Sequence, residues 1–284
     1  MIPSILPSRS LRMTARHFPA IVLGAYVCLA LPAMAATLNL TDITVNGIPT
    51  SMYAGNDGQN HVGGFINGAL FQRAVPASGA GQFRQLFRVS DSNDADVIER
   101  GYNRGGIMDS ETPNGFNPLI RVQNLVESSE GGFYMFALDA NESSGGNNSY
   151  LSLDMFSIYV GGVNDPAPLP AAEANLGQLG TRVYTFATND GVLLDATTSS
   201  GSGTADMLVF VPKSLFNGFA PDSYVYTFVS HGGSSAPGFG ASGGNEEWAA
   251  IQTPMASYIP EPGAWAIALV GGILGLTTRY RRRR

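Results

Sequence analysis

The 284-residue sequence contains a single cysteine, Cys28. A disulfide within the chain requires two cysteines and is therefore excluded, and a mature chain without Cys28 also has no thiolate metal site. Because Cys28 lies in the apolar run of a predicted export signal, the mature chain is also expected to have no thiol nucleophile.

Charged residues are scarce, at 13% of the chain, where globular proteins average about 25%. The shortage is greatest for basic residues. Residues 36–259 contain eight Lys or Arg and 21 Asp or Glu, a net charge of −13, against −6 for the whole chain. Such a negative field repels phosphate backbones, so nucleic-acid binding is excluded.

Sustained helical periodicity is also missing, and 35 Gly and 17 Pro indicate many turns. Nine short stretches rich in β-branched and aromatic residues alternate with turn-forming residues, a pattern that predicts an all-β fold. We expect an antiparallel β-sandwich, built as one large or two small sandwiches. The predicted strands are residues 37–45, 82–89, 119–126, 133–138, 150–160, 182–187, 207–211, 224–229 and 247–251.

Three segments refine this expectation. Residues 207–211 are apolar on both faces and predict a central strand, with 224–229 as its neighbour, and 213–216 predict one helical turn. Residues 164–170 carry proline at alternate positions, which excludes a ladder strand and predicts a stiff connector. The connector separates two subdomains or, as we favour because each half has few strands, forms an excursion between two sheets.

The N-terminal residues 1–35 have the order of a secretory signal. Arg9, Arg12 and Arg16 precede an apolar run over residues 18–31, and small residues follow at 33–36. Fourteen apolar residues make a helix of about 21 Å, shorter than the ~30 Å of a bilayer core. The sequence therefore predicts export and cleavage before Ala36, with translation beginning at Met1 or at Met13.

The C-terminal residues 260–284 combine a short motif, an apolar segment and a basic end. Pro260, Glu261 and Pro262 precede a predicted transmembrane helix over residues 263–278, about 24 Å long. The positive-inside rule places the basic end in the cytoplasm and the preceding domain outside. The basic residues are Arg279, Arg281, Arg282, Arg283 and Arg284.

This three-part tail resembles the PEP-CTERM sorting signal of exported bacterial proteins. The resemblance implies an exosortase partner, transient anchoring in the inner membrane, cleavage near the motif, and delivery to the cell surface or the exopolysaccharide matrix. An ordinary C-terminal anchor predicts the same topology without the cut. Within residues 193–249, several stretches resemble a segment that precedes the tail in such proteins, which implies the same location and a β fold but no chemistry.

Motifs for catalysis are weak. Ser242 lies in a GxSxG pattern, but no helix follows it, so we interpret it as part of a flexible loop. Glu246 and Glu247 are neighbours on a predicted strand and therefore point to opposite faces, with one expected to cap a turn and the other to be solvated. They cannot flank one glycosidic bond, although a cross-strand pair of either glutamate with Asp195 or Asp206 stays open. We predict that the protein is not an enzyme.

Oxygen-rich loops predict a Ca²⁺ site. One loop offers three carboxylates and an amide, but it lacks the glycine and the closing glutamate of an EF-hand. Its candidate ligands are Asp91, Asn93, Asp94 and Asp96. A second acidic loop contains Asp139, Asn141 and Glu142. The alternative for both loops is solvated turns.

Aromatic residues suggest a binding surface for sugars. Tyr224 and Tyr226 alternate on one strand and so share a face, and together with Trp248 they predict a glycan platform if that face is exposed; the alternative is that they are core. We therefore expect an exported surface or exopolysaccharide-matrix protein with a structural or adhesive role and weak glycan binding. The alternative is a secreted hydrolase that acts on the same polysaccharide.

Overall fold

The computed structural model describes residues 37–74, 83–90, 98–142, 149–162, 164–197, 204–234, 236, 238–241 and 244–252. The predicted signal, the predicted sorting tail, the Asp91 to Asp96 loop and Ser242 lie outside these residues. Within the described residues, no helix is long and apolar enough to cross a membrane.

The described residues form fifteen β-strands and three short 3-10 helices, which confirms the all-β prediction. The strands are β1 (Thr37–Asn39), β2 (Met52–Ala54), β3 (Asn60–Ile66), β4 (Ala69–Arg73), β5 (Phe83–Val89), β6 (Glu99–Tyr102), β7 (Ser110–Glu111), β8 (Ile120–Arg121), β9 (Phe133–Ala140), β10 (Tyr150–Val160), β11 (Thr181–Thr185), β12 (Gly191–Asp195), β13 (Met207–Pro212), β14 (Tyr224–His231) and β15 (Glu246–Ile251). The 3-10 helices are η1 (Val122–Asn124), η2 (Glu173–Leu179) and η3 (Lys213–Phe216).

The strands form two sheets. Sheet A has the order β1-β12-β10-β14-β6, with β11 paired to β10 and β8 paired to β14. Sheet B has the order β2-β3-β4-β13-β9-β15-β5-β7. Among the described strand pairs, β1 and β12 run parallel and the others run antiparallel.

The two sheets pack face to face around Phe156 of sheet A. Its ring centroid lies 5.8 Å from that of Phe71, 6.2 Å from that of Phe136 and 5.2 Å from that of Trp248, all three of which belong to sheet B. The inward positions of both sheets form one hydrophobic core. This burial is the main favourable contribution to folding in a chain with so few charges.

Strand β13 is central, as predicted, because it lies between β4 and β9 in sheet B. Its predicted neighbour is wrong, since β14 belongs to sheet A and pairs with β10, β6 and β8. Both strands are apolar enough to be central, but the connection between them crosses from one sheet to the other. The predicted turn at Lys213–Phe216 is confirmed as η3, whereas residues 119–126 form only the two-residue strand β8 followed by η1.

The proline-rich segment 164–170 has no strand among its residues and joins β10 to η2 and β11. Because β11 pairs with β10, the segment leaves sheet A and returns to it, rather than crossing to sheet B as we expected. Both sheets take strands from both sides of this connector.

Four connections between the sheets start and finish at one end of the fold, which we call the loop end. They join β5 to β6, β9 to β10, β12 to β13, and β14 to β15. In sheet B, Glu246 lies opposite Val89 and Ala140, and in sheet A, His231 lies opposite Glu99 and Leu153. The loop end therefore contains Glu246 of sheet B and Glu99 and His231 of sheet A, among apolar strand-end residues.

Candidate functional site

A polar cavity of about 440 Å³ lies on the outer face of sheet A at the loop end, and we call it the outer pocket. Strand β10 alternates there, with Leu151 and Leu153 in the core and Ser152 on the opposite, outer face. The lining residues are Thr37, Ser152, Asp154, Asn189, Asp190, Gly191, Val192, Leu193, Gly233 and Ser234.

A β-bulge in β10 lies beside this pocket. The register of β10 against β14 shifts between Leu153, opposite His231, and Met155, opposite Ser230. Asp154 is therefore the extra residue on its strand. It lies on the same outer face as Ser152, and the bulge restores the core position of Phe156. Bulges of this kind are common next to binding and active sites.

Neutral donors hold the Asp154 carboxylate. The Gly233 backbone N–H donates to Asp154 Oδ2 at 2.6 Å, and the Ser152 hydroxyl donates to the same oxygen at 3.0 Å. Burial raises the pKa of the Asp154 carboxyl, and these two hydrogen bonds oppose that rise. A Cβ at Gly233 would lie 3.3 Å from Oδ2, so glycine allows this close approach of the backbone.

The second carboxylate of the pocket comes from the turn between β11 and β12. Asp190 is buried and accepts a hydrogen bond at Oδ2 from the Ala187 backbone N–H at 2.7 Å. The preceding Asn189 has a left-handed backbone with φ 68°, a conformation that asparagine tolerates well. The turn thus holds two polar side chains at the rim of the cavity.

The remaining wall of the pocket is the segment after β14. The Ser234 backbone N–H donates to Ser152 Oγ at 3.2 Å. Further along, Phe239 is buried and stacks on Tyr150, with ring centroids 5.0 Å apart. This apolar contact keeps the segment against the outer face of sheet A, so the pocket has walls on both sides of Asp154.

We did not predict Asp154 or Asp190 as site residues. The one signal for Asp154 is a carboxylate in the middle of an 11-residue strand that is otherwise mostly apolar. Nothing local to Asp190 distinguishes it from an ordinary turn residue, since its position at the pocket depends on the pairing of β12 with β10.

A second polar group lies on the inner side of sheet A at the same end, and we call it the interior cluster. It consists of Glu99, His231, Glu246 and Trp248, all fully buried or nearly so. The Trp248 Nε1–H donates to His231 Nε2 at 3.1 Å and so joins the two sheets. Burial lowers the pKa of His231 to about 3, so the ring is neutral and carries its proton on Nδ1.

Glu246 of the interior cluster is the most strongly perturbed carboxyl in the described residues. Burial raises its pKa well above the ordinary value, and the neighbouring carboxyls of Glu99 and Glu142 raise it further. On either side it faces Val89 and Ala140, which offer no polar side chain. Glu246 is therefore closed to solvent, and its surroundings favour the protonated form.

The predicted geometry of the two glutamates is confirmed in part. Glu246 is buried between the sheets, while Glu247 is half-buried on the opposite face and accepts a hydrogen bond from Gln85 at 3.4 Å. The expectation that both would sit at the surface is wrong for Glu246, because its strand position has the same inward parity as Trp248. It neither caps a turn nor meets solvent.

The aspartates that we kept as partners for these glutamates serve the backbone. Asp206 is buried and accepts from the Ala140 N–H at 2.9 Å. Asp195 accepts from the Thr197 backbone N–H at 2.9 Å and from the Thr197 hydroxyl at 2.7 Å. Both carboxylates thus shape the ends of strands.

The predicted glycan platform needs correction. Tyr224 and Tyr226 do share a face, with ring centroids 6.3 Å apart. However, Tyr226 is fully buried, and Trp248 is fully buried in the other sheet, so neither presents a ring face to a sugar. Tyr224 is partly exposed, but the Arg121 guanidinium lies 4.5 Å from its ring centroid.

The proline-rich connector explains this burial. Its Asp165 accepts a hydrogen bond from the Tyr226 hydroxyl at 2.6 Å and forms an ion pair with Arg104. Arg104 in turn lies over the Tyr226 ring at 4.8 Å, and Pro170 accepts a hydrogen bond from the Tyr102 hydroxyl at 2.9 Å. The connector therefore covers the part of sheet A where we expected the platform.

For metals, the described residues contain no group of three or more His, Cys, Asp or Glu that could hold an ion. In the second acidic loop, Asn141 donates to the Asn245 carbonyl at 3.2 Å, which joins that loop to the start of β15. The first loop, with Asp91, Asn93, Asp94 and Asp96, lies outside the described residues, so its Ca²⁺ site stays a prediction.

Comparison with known proteins finds no match to a family model, a curated protein or a solved structure.

Proposed function

We propose that the protein is an exported, non-catalytic surface or exopolysaccharide-matrix protein that binds extracellular polysaccharide at the outer pocket. The observation that carries this proposal is the pocket itself, a polar cavity with two carboxylates on an outer sheet face. The proposed location rests on residues 1–35 and 260–284, which have the patterns of an export signal and a sorting tail.

The pocket has the size and chemistry that suit one or two sugar units. Small-molecule sites are about 300–1,000 Å³ in volume, and this cavity is about 440 Å³. Carboxylate, hydroxyl and amide groups around the cavity can exchange hydrogen bonds with sugar hydroxyls. A single small site of this kind supports a Kd of roughly micromolar to millimolar, and many copies in a matrix raise the effective strength.

The non-catalytic part of the proposal rests on how the carboxyls are placed. A glycosidase needs two carboxyls on opposite sides of the scissile bond, one as acid and one as base or nucleophile. Glu99 and Glu246 are sealed between the sheets and out of reach of a polysaccharide. The Asp154 and Asp190 carboxylates both accept backbone hydrogen bonds, and no aromatic residue is among the described lining of the pocket.

Calorimetric titration of the purified full chain with the producing organism's polysaccharide tests the binding site. Asp154→Asn is expected to weaken binding at least tenfold, since it removes the charge but keeps an acceptor for Gly233. Asp222→Asn is the matched control. Asp222 lies just before the first residue of β14, Tyr224, whereas the outer pocket lies beyond the last residue of β14, His231. A wild-type chain that binds no polysaccharide, or an Asp154→Asn variant that binds normally, contradicts the proposed site.

A reducing-end assay on the same samples separates binding from hydrolysis. We expect no release of reducing ends. Turnover that disappears in the Asp154→Asn variant and persists in Asp222→Asn would establish the hydrolase alternative.

Mass spectrometry of the surface-exposed protein tests the proposed location. We expect the mature protein to begin near Ala36 and to lack Arg281 to Arg284, because an exosortase is proposed to cut near Pro260 to Pro262. An intact arginine tail on the surface form would leave only the ordinary membrane anchor.

A further inference from the structure

We propose that the outer pocket selects a positively charged sugar unit, an amino sugar with a free ammonium group, over neutral or acidic sugars. This inference rests on the proposed polysaccharide binding and narrows its ligand class. It makes Asp154 the residue that determines specificity and Asp190 a second source of negative charge at the rim.

The first step of the argument is the charge of the lining. Asp154 and Asp190 are acidic, and the other described lining residues are uncharged. The region from residue 36 to 259 also carries a net charge of −13. A ligand that enters the pocket therefore meets a negative potential with no basic side chain in the described wall to offset it.

The second step is the missing counter-charge at Asp154. Its two hydrogen bonds come from a backbone amide and a hydroxyl, both neutral, and both reach Oδ2. Within the described part of the chain, no hydrogen bond reaches Oδ1 and no ion pair involves this carboxylate. Partly buried carboxylates are normally paired with a cation, and a cationic donor forms the stronger, charge-assisted hydrogen bond.

The third step is the choice between an ammonium group and a metal ion. Calcium takes six to eight oxygen ligands, usually from several carboxylates. The described residues contain no group of three acidic or histidine side chains that could hold a metal. An ammonium group needs only one carboxylate and a few neutral acceptors, and the pocket offers the Asp154 carboxylate and the amide oxygen of the exposed Asn189.

The test compares three oligosaccharide probes of similar length on the purified full chain. They are a glucosamine oligomer with free amines, its N-acetylated counterpart, and a galacturonic acid oligomer. We expect the free-amine oligomer to bind about tenfold more tightly than the N-acetylated one, and the uronic acid oligomer not to bind. The preference should shrink at high salt, because exposed charge pairs are screened.

Two variants assign the preference to the pocket. Asp154→Asn is expected to reduce the tenfold preference to less than about twofold, and Asp222→Asn is expected to retain it. Thermal melts of both variants check that each remains folded. An unchanged preference in folded Asp154→Asn overturns the inference.

Other outcomes separate this inference from the proposed function. If the chain binds the organism's polysaccharide but does not prefer the free-amine oligomer to its N-acetylated counterpart, the ligand class is wrong and the proposed function stands. A metal site would give a different result. If millimolar Ca²⁺ abolishes binding of the free-amine oligomer to wild type, and Ca²⁺ binds wild type but not Asp154→Asn, the pocket is a metal site and the ammonium inference is wrong. Binding of no carbohydrate at all overturns both proposals.

Discussion

Buried or half-buried carboxyls lie against both faces of sheet A at the loop end. On the inner face, Glu99 faces Glu246 of sheet B beside His231 and Trp248, and all four side chains are buried. On the outer face, Asp154 lines an open cavity and is held by neutral donors. Burial raises the pKa of both Glu246 and Asp154.

The comparison shows that a perturbed pKa does not by itself identify a binding site. Loss of hydration perturbs both carboxyls, but only Asp154 has a route to a ligand. The raised pKa of Glu246 accompanies complete burial, whereas the Asp154 carboxylate lines a cavity open to the cationic ligand that we propose. Access therefore distinguishes the sealed carboxyl from the one that a ligand can reach.

The largest expected effect on stability comes from opening the interior cluster to solvent. Trp248→Ala removes the largest fully buried side chain among the residues that the structure describes, and we expect a loss of about 3–5 kcal/mol in the free energy of unfolding. Urea unfolding measures this loss. Phe65→Ala, at an exposed aromatic in the same sheet, is the control and should cost less than about 1 kcal/mol. An equal loss in the free energy of unfolding for the two variants would mean that the interior cluster is not sealed from solvent.

Calcium binding gives the next largest expected effect on stability. It tests the predicted Ca²⁺ site at residues 91–96, which precede Glu99 in the sequence. If Asp91, Asn93, Asp94 and Asp96 bind Ca²⁺ as predicted, a hundredfold excess over Kd stabilises the chain by about 2.7 kcal/mol. Asp94→Asn should reduce the rise in melting temperature, and Asp222→Asn should not. An identical melting temperature in calcium and in chelator would remove this site.

Burial of Glu246 should make the stability of the protein depend on pH. The folded-state pKa of Glu246 is raised, so its contribution is fully present below the unfolded pKa and is lost as pH rises towards the folded one. Glu246→Gln should therefore gain stability relative to wild type as pH rises from 4 to 8, measured by urea unfolding. Exposed Glu173→Gln is the control and should track wild type. A parallel profile for Glu246→Gln would show that this carboxyl ionises freely in the fold.

His231 gives the stability of the fold a pH dependence of the opposite sign. Its folded-state pKa is about 3, below the ordinary 6.5, so its contribution is present above pH 6.5 and is lost as pH falls towards 3. The wild-type profile thus combines two opposing slopes. The difference between wild type and Glu246→Gln isolates the carboxyl from the histidine.

The smallest expected effect on stability is at the outer pocket. Gly233→Ala places a methyl group about 3.3 Å from Asp154 Oδ2, so we expect binding to weaken several-fold while the free energy of unfolding changes by less than about 0.5 kcal/mol. Titration and urea unfolding of the same variant measure both. A large loss of stability with intact binding would reverse the roles that we assign to the two faces.

Local sequence predicted the strands that carry their own pattern. Residues 150–160 coincide with β10, and 207–211 and 133–138 match β13 and β9 apart from their C-terminal ends. Strand β3 was missed because Gly63 and Gly64 weaken its pattern. A Cβ at Gly63 would lie 2.6 Å from the Phe71 carbonyl oxygen, and one at Gly64 would lie 2.6 Å from Leu38. These glycines are required by close packing, which the sequence does not display.

For the candidate sites too, local sequence predicted some features and missed those that depend on packing. The alternation of Tyr224 and Tyr226 correctly placed both rings on one face, but the connector and Arg104 cover that face. In the sequence, Asp154 is a single polar residue within an apolar strand. In the structure it lies at a β-bulge, accepts a hydrogen bond from the Gly233 backbone N–H and lines a cavity. A candidate surface depends on what packs over it, and those segments come from distant parts of the chain.

The all-β class, the acidic charge and the main alternating strands follow from local sequence, because alternation and composition involve a few neighbouring residues. Which strands pair, which aromatic face is covered and which carboxylate stays open follow from the packing of the folded chain. Pairing and burial depend on contacts between residues far apart in the chain, such as Asp154 with Gly233 and Asp165 with Tyr226. A pattern that is read locally cannot contain that information.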